Sequence, residues 1–193
     1  MRIALLRHGP TDWNAQHLIQ GHTDIPLSEE GLRKMQGLRA PFAAARIFSS
    51  PLLRAQQTAK AMRLENPVLD ARLMEQHWGR WEGMRLQAIT DRHGKDAFLC
   101  AGRKEQFRPP GGESTSELMA RLGAFLIDVA REDSDAVAVT HMGVLRAAYT
   151  LATGWNMATP MPPDLDTGKI LVLELGADGK PGIHALNMEF SAA

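Results

Sequence analysis

The chain has 193 residues, 44% of them hydrophobic, enough to bury one compact core and short of what two domains need. Lys plus Arg number 22 and Asp plus Glu number 22, so with neutral histidines no overall field draws in nucleic acid or an anionic membrane, and any attraction for anions must be local. Cys100 is the only cysteine, which excludes an intrachain disulfide and a thiolate metal cluster and leaves it read as a buried or half-buried apolar filler.

Taken in chain order, Arg2 to Leu6 is a short apolar run of strand length. Its opening position does not make it a secretory signal, since the run is too short, and no later stretch reaches the length of a membrane span; a soluble, cytoplasmic protein is expected. After it, Arg7-His8-Gly9-Pro10-Thr11-Asp12-Trp13-Asn14 sets a cation, an imidazole and small polar groups on one strand-to-loop turn. Ser28 with Glu29 and Glu30 marks a capped helix start, followed by Leu32, Met35 and Leu38 at helical spacing. Arg46 to Ser49 is a weaker strand, and Ser50-Pro51 predicts a second helix, with Ser50 as cap and Pro51 at the first helical position, running into Leu52, Ala55, Ala59 and Met62. Val68-Leu69 is a short extended stretch. Trp81 to Gln106 has no decisive spacing and is expected to hold helices on one side of a crevice.

The proline-rich stretches Arg108 to Gly112 and Pro160 to Pro163 read as loops. Ser114 and Glu117 have capping-box spacing and lead into Leu118, Leu122, Phe125, Leu126 and Val129 on one face. Asp135 to Thr140 is another buried-type strand, and Met142 to Thr153 a helix stopped by Gly154. Lys169 to Leu175 and Ile183 to Met188 are two further strands around a glycine-rich turn. This alternation predicts an α/β fold of three layers, a mainly parallel sheet with helices on both faces, organised as one domain over residues 1–193.

His8 and His141 each follow an apolar strand and precede, at once or after Met142, a glycine. In an open α/β sheet such strand ends converge on one crevice. Arg7, Arg54 and two histidines would be costly to bury without a counter-anion, so their natural occupant is a phosphate or carboxylate. Arg54 lies early in the second helix, where free backbone N–H groups would add to that preference. A metal is disfavoured because Arg7 beside His8 would repel a cation. A neutral imidazole can attack phosphorus, arginines can stabilise the equatorial oxygens, and a carboxylic acid can protonate a poor leaving group. Glu75 is the candidate acid; Glu82, in the tight Trp-Glu-Gly turn, reads as structural. His17, His22, His77, His93 and His184 read as surface or hydrogen-bonded histidines, with His22 and His77 flanking the crevice motifs. Trp13, Trp78 and Trp81 are expected to pack around the crevice.

Arg7-His8-Gly9-Pro10-Thr11, Gly21 to Ser28, Ser49 to Ala59, Glu75 to Gly83, Gly111 to Ser114 and Thr140 to Arg146 together resemble the histidine phosphatase superfamily, in its phosphoglycerate mutase-like branch. The matches fall in the family's order and cover residue 3 to about residue 154. The resemblance implies a phosphoglycerate mutase-like fold with His8 as the phosphorylated nucleophile. It further implies that Arg7, Arg54 and His141 hold the phosphoryl group, that Glu75 is the proton donor and that Asn14 is a further phosphate contact. Thr11, Gln20 and Gly21 border that pocket. It implies no metal and no organic cofactor. Pro10 stands where the family often has Glu or Gln, which removes a backbone N–H and any contact of a longer polar side chain.

The leading expectation is a phosphomonoesterase acting on a small phosphorylated metabolite through a phosphohistidine, with no nucleic-acid or membrane partner; whether it works as a homodimer is left open. The look is nearest to short bacterial phosphatases such as α-ribazole phosphatase. A phosphoglycerate mutase is the second reading, and such enzymes carry extra segments for which 193 residues leave little room. A phosphohistidine-protein phosphatase is the third, although imidazole leaves well without the acid that Glu75 would supply. The non-enzymatic alternative is a phosphate-binding module.

Overall fold

The computed structural model describes residues 1–42, 46–93, 107–156 and 161–192, so Cys100, Pro160 and much of the segment without decisive spacing lie outside the described residues. The strands are β1 (Arg2–Arg7), β2 (Leu38–Arg39), β3 (Arg46–Ser49), β4 (Val68–Leu69), β5 (Ala136–Thr140), β6 (Ile170–Leu175), β7 (Pro181–Met188) and β8 (Ser191–Ala192). The helices are α1 (Asp12–Ala15), α2 (Glu29–Gln36), α3 (Leu53–Ala61), α4 (Leu86–His93), α5 (Thr115–Ala130) and α6 (Met142–Thr153), with 3-10 turns at Ala71–Leu73 and Gly79–Trp81.

The main sheet has the order β4-β3-β5-β1-β6-β7. The first four strands are parallel, and β6 and β7 run antiparallel at one side. The central strands are apolar on both faces because helices cover both. Ile3 and Leu5 of β1, with Ala136 and Ala138 of β5 and Leu171 and Leu173 of β6, face the core shared with α5 and α6. Their neighbours Ala4, Leu6, Val137, Val139, Ile170 and Val172 face the core under α2 and α3. That period-two split gives the three-layer α/β fold expected of the alternation.

The capping box of α5 forms as its spacing predicts: the Ser114 hydroxyl accepts from Glu117 N and the Glu117 carboxylate from Ser114 N. All five residues of its apolar face are buried, each worth about 1.5–3 kcal/mol against exposure. α6 stops where Gly154 takes a left-handed conformation with φ of 77°. Two helix boundaries differ from expectation. Leu38 leaves α2 and enters β2, which pairs with β8. The second helix starts at Leu53, with Pro51 outside it, because Ser50 N donates to Val139 O and so extends the β3–β5 ladder one residue further.

Candidate active site

β1 and β5 are in parallel register with Arg7 opposite Thr140, and β3 lies on the other side of β5 with Ser49 opposite Val139. The residues that follow these strands, His8, His141 and Ser50, therefore emerge together at one edge of the sheet. His8 N still donates to Thr140 O at 2.9 Å, and the His8 and His141 ring centroids are 5.1 Å apart. Next to β3, Asp70 N donates to Ser49 O and the 3-10 turn after β4 carries the chain to Glu75 at the same edge.

His8 is 7% exposed and His141 fully buried. The Nδ1 of His8 is 2.7 Å from Gly9 O and donates to it, since a carbonyl only accepts; Nε2 of the neutral ring then carries the lone pair. Burial, with the charges of Arg54 and Arg7, lowers the His8 pKa to about 3, so the ring is neutral near pH 7. His141 is likewise held well below the usual histidine range, first by burial and then by His8 and Arg54. Its Nε2 pairs with Ser50 Oγ at 2.8 Å.

Arg54 is fully buried and donates through Nη1 to Thr23 O at 3.0 Å and through Nη2 to Gly21 O at 2.7 Å. Those two carbonyls are fixed in turn by Glu82, whose carboxylate accepts from His22 N, Thr23 N, Thr23 Oγ1 and Trp78 N. Burial pushes the Glu82 carboxyl up, but these hydrogen bonds outweigh it and hold the group below its usual value. Gly21, at φ of 55°, is required here, because a Cβ would run into the Glu82 carboxylate. Burial also pulls the Arg7 and Arg54 guanidiniums below their usual value, with the charge of Glu75 opposing it in both.

Glu75 faces the start of α6. Its Oε1 accepts from Gln76 N at 2.8 Å, and both carboxylate oxygens accept from Gly143 N at 3.1 and 3.2 Å. A Cβ at position 143 would collide with Glu75 Oε1, so glycine is what lets the carboxylate meet the helix N-terminus. The Glu75 backbone is clamped as well: its carbonyl accepts from Arg121 Nη2 at 3.0 Å and pairs with His22 Nε2 at 2.8 Å, while Arg121 is held by Glu113.

A cavity of about 600 Å³ is lined at its inner end by Arg7, His8, Asn14, Gln20, Gly21, Arg54 and Glu75. Thr11 is buried behind it as the cap of α1, where its hydroxyl accepts from Asn14 N and the Asn14 Oδ1 accepts from Thr11 N; the Asn14 amide nitrogen is left to donate elsewhere. The outer end is lined by Trp13, Leu18, Ile19, Trp78, Leu86, Met142, Arg146 and Met161, with His17. Trp81 packs instead with Ile89 and Phe107. Among the described residues no three His, Cys, Asp or Glu side chains gather into a group able to hold a metal.

The structure thus brings together every expected site residue, with Thr11 and His141 just behind the cavity wall. At the N-terminus of α3, where free amides are expected to favour an anion, Leu53 N is already taken, donating to Asp24 Oδ1 at 2.6 Å. Ser50, expected as a helix cap, is the partner of His141. His22 and His77 stack on one another at 4.6 Å, with His22 against the Glu75 carbonyl, and are not part of the cavity lining. Arg146 has no role in the sequence reading, yet its i, i+4 spacing from Met142 sets both on one helix face toward the cavity.

With that geometry in view, the family model for the histidine phosphatase superfamily (branch 1) matches residues 3–189. A 2,3-bisphosphoglycerate-dependent phosphoglycerate mutase of Beijerinckia indica is 29% identical over 91% of this chain and 92% of its own. A phosphoglycerate mutase from Thermus thermophilus is similar in structure, with a TM-score of 0.71, 33% identity, and coverage of 90% of this chain and 93% of that one. A mycobacterial glucosyl-3-phosphoglycerate phosphatase solved with VO3 has a TM-score of 0.78 at 26% identity, covering 97% and 99%.

Proposed function

This chain belongs to branch 1 of the histidine phosphatase superfamily, and on that basis we propose that it is a phosphomonoesterase that hydrolyses a small phosphorylated metabolite through a phosphohistidine at His8. The observation that carries the reading is the state of His8. It is a buried neutral imidazole with Nδ1 tied to Gly9 O and Nε2 left as the nucleophilic atom, in one cavity with two guanidiniums and a carboxylate.

In the first step Nε2 attacks phosphorus and the bond to the ester oxygen breaks. Arg7 and Arg54, with His141 and the Asn14 amide, take up the charge on the phosphoryl oxygens. The Nε of Arg54 is buried without a protein partner among the described residues, and a phosphoryl oxygen would supply its acceptor. Glu75 gives its proton to the departing alkoxide, then as carboxylate takes one from the water that attacks the phosphohistidine and releases orthophosphate. These steps need no metal or organic cofactor. Hydrolysis is favoured over mutase chemistry by the outer end of the cavity, where, among the described residues, Arg146 stands as one cation amid Trp, Leu, Ile and Met side chains, a poor setting for a second phosphate.

Phosphorus NMR in the presence of a chelator tests the reading. The enzyme is given α-ribazole phosphate and 3-phosphoglycerate with a trace of its bisphosphate. Growth of orthophosphate is the expected result. Migration of phosphate between the glycerate hydroxyls without release would mean a mutase.

A further inference from the structure

His8 has a cavity on each flank. One, about 540 Å³, is lined by Pro10, Lys34, Asp166, Lys169 and Glu189 besides Arg7 and His8, and its lysine at 169 is paired with Glu189 at 2.5 Å. The other is the 600 Å³ cavity described above, and only this one is lined by Glu75. A leaving oxygen has to lie where the acid can protonate it, so the alcohol half of the ester belongs on the Glu75 side.

Away from the phosphoryl end that side is mostly apolar, with Arg146 and His17 as its polar members among the described residues. Leu86 and Met142 are each 38% exposed and Met161 is 42% exposed, and these three large apolar side chains from separate segments meet at the same opening beside Trp13 and Trp78. Scattered surface hydrophobics need no explanation, but a cluster around a concave site marks what the site receives. Methionine adds an adaptable wall that can settle against differing shapes. A polyhydroxylated alcohol would leave this wall in contact with unsatisfied hydroxyls.

We propose that the site selects phosphomonoesters of a bulky apolar alcohol, whose body lies against Trp13, Trp78, Leu86, Met142 and Met161 while the phosphate sits at His8. The selection of the alcohol rests on the hydrolytic reading for the position of the phosphate and the role of Glu75.

The test uses two matched pairs on the whole chain: benzyl and 2-methoxyethyl phosphate as substrates, and the corresponding phosphonates, which cannot be hydrolysed, as ligands in calorimetry. The benzyl member is expected to be favoured about tenfold in kcat/KM and in Kd. In a double variant at two exposed positions, Leu86→Gln with Met161→Gln, the preference should narrow to about threefold. Hydrolysis of both esters at equal kcat/KM, with equal phosphonate affinities, would overturn the selectivity and leave the hydrolytic reading intact. Preferential benzylphosphonate binding with no orthophosphate released from either ester would do the reverse. A preference that the double variant leaves unchanged would overturn the assignment to this wall.

Discussion

At the inner end of the cavity the groups around His8 are held by strand ends and by backbone partners from several segments, whereas the outer end is assembled from α1 and the residues after it, the turn at Trp78, the first residue of α4, the first turns of α6 and the loop at Met161. Arg54 spends two guanidinium nitrogens on the Gly21 and Thr23 carbonyls, and Glu75 is gripped through both its carboxylate and its carbonyl. Leu86 and Met161, by contrast, have apolar side chains that stand partly in solvent. The contrast separates two tasks. Stabilising a phosphoryl transition state requires donors that are already oriented, while accepting an apolar group requires only a surface that water leaves readily.

Substitutions at the inner end should therefore affect all esters or sort them by leaving-group chemistry, never by their apolar bulk. After loss of the His8 nucleophile itself, the largest such effect is expected from Glu75→Gln. It should slow alkyl phosphates by about 100-fold or more and p-nitrophenyl phosphate far less, because nitrophenolate leaves without a proton. Steady-state kinetics on the two ester types checks this, and equal losses would reduce Glu75 to a structural carboxylate.

The buried histidines make a second, pH-dependent signature. His8 falls from 6.5 unfolded to about 3 folded, so between those values the unfolded chain binds the extra proton, and the stability present above pH 6.5 is lost as pH falls through that window. His141 shifts in the same direction. Urea unfolding from pH 7 to pH 4 should show stability declining by up to about 1.4 kcal/mol per pH unit for each histidine. The decline should be shallower in His8→Asn, and an unchanged slope in that variant would mean that His8 is not held neutral by the fold.

The smallest effect sharpens the comparison most. Glu82→Gln touches neither ligand nor nucleophile, but it weakens the grip on the Gly21 to Thr23 carbonyls that orient Arg54. Orthophosphate affinity should fall about fivefold, in line with weakening one charged hydrogen-bond set. Benzyl- and methoxyethylphosphonate should lose affinity by the same factor. A loss confined to one of them would show that the two ends are not independent.

What is legible in the sequence follows the same division. β1, β5, the capping box of α5 and the glycine stop of α6 are local patterns, and the register of β1 on β5 turns them directly into the meeting of His8 with His141. Ser50-Pro51 misleads because what decides there is long-range: Val139 O keeps Ser50 extended and Asp24 supplies the acceptor at the start of α3. The roles of Arg121, Glu82 and His22 as backbone clamps are equally hidden, since each acts on a carbonyl or amide tens of residues away. Spacing also cannot reveal that Leu86, Met142 and Met161, far apart in the chain, share one wall.

The measurement that bears most directly on the central claim is capture of the intermediate. The protein is mixed with a radiolabelled phosphomonoester, quenched in alkali within one turnover, digested and mapped by mass spectrometry, with His8→Ala carried alongside. The account predicts a phosphoryl group on the peptide holding His8, stable to base and lost in acid, and absent from the variant. Label on another residue, or turnover and labelling that persist in His8→Ala, would contradict it.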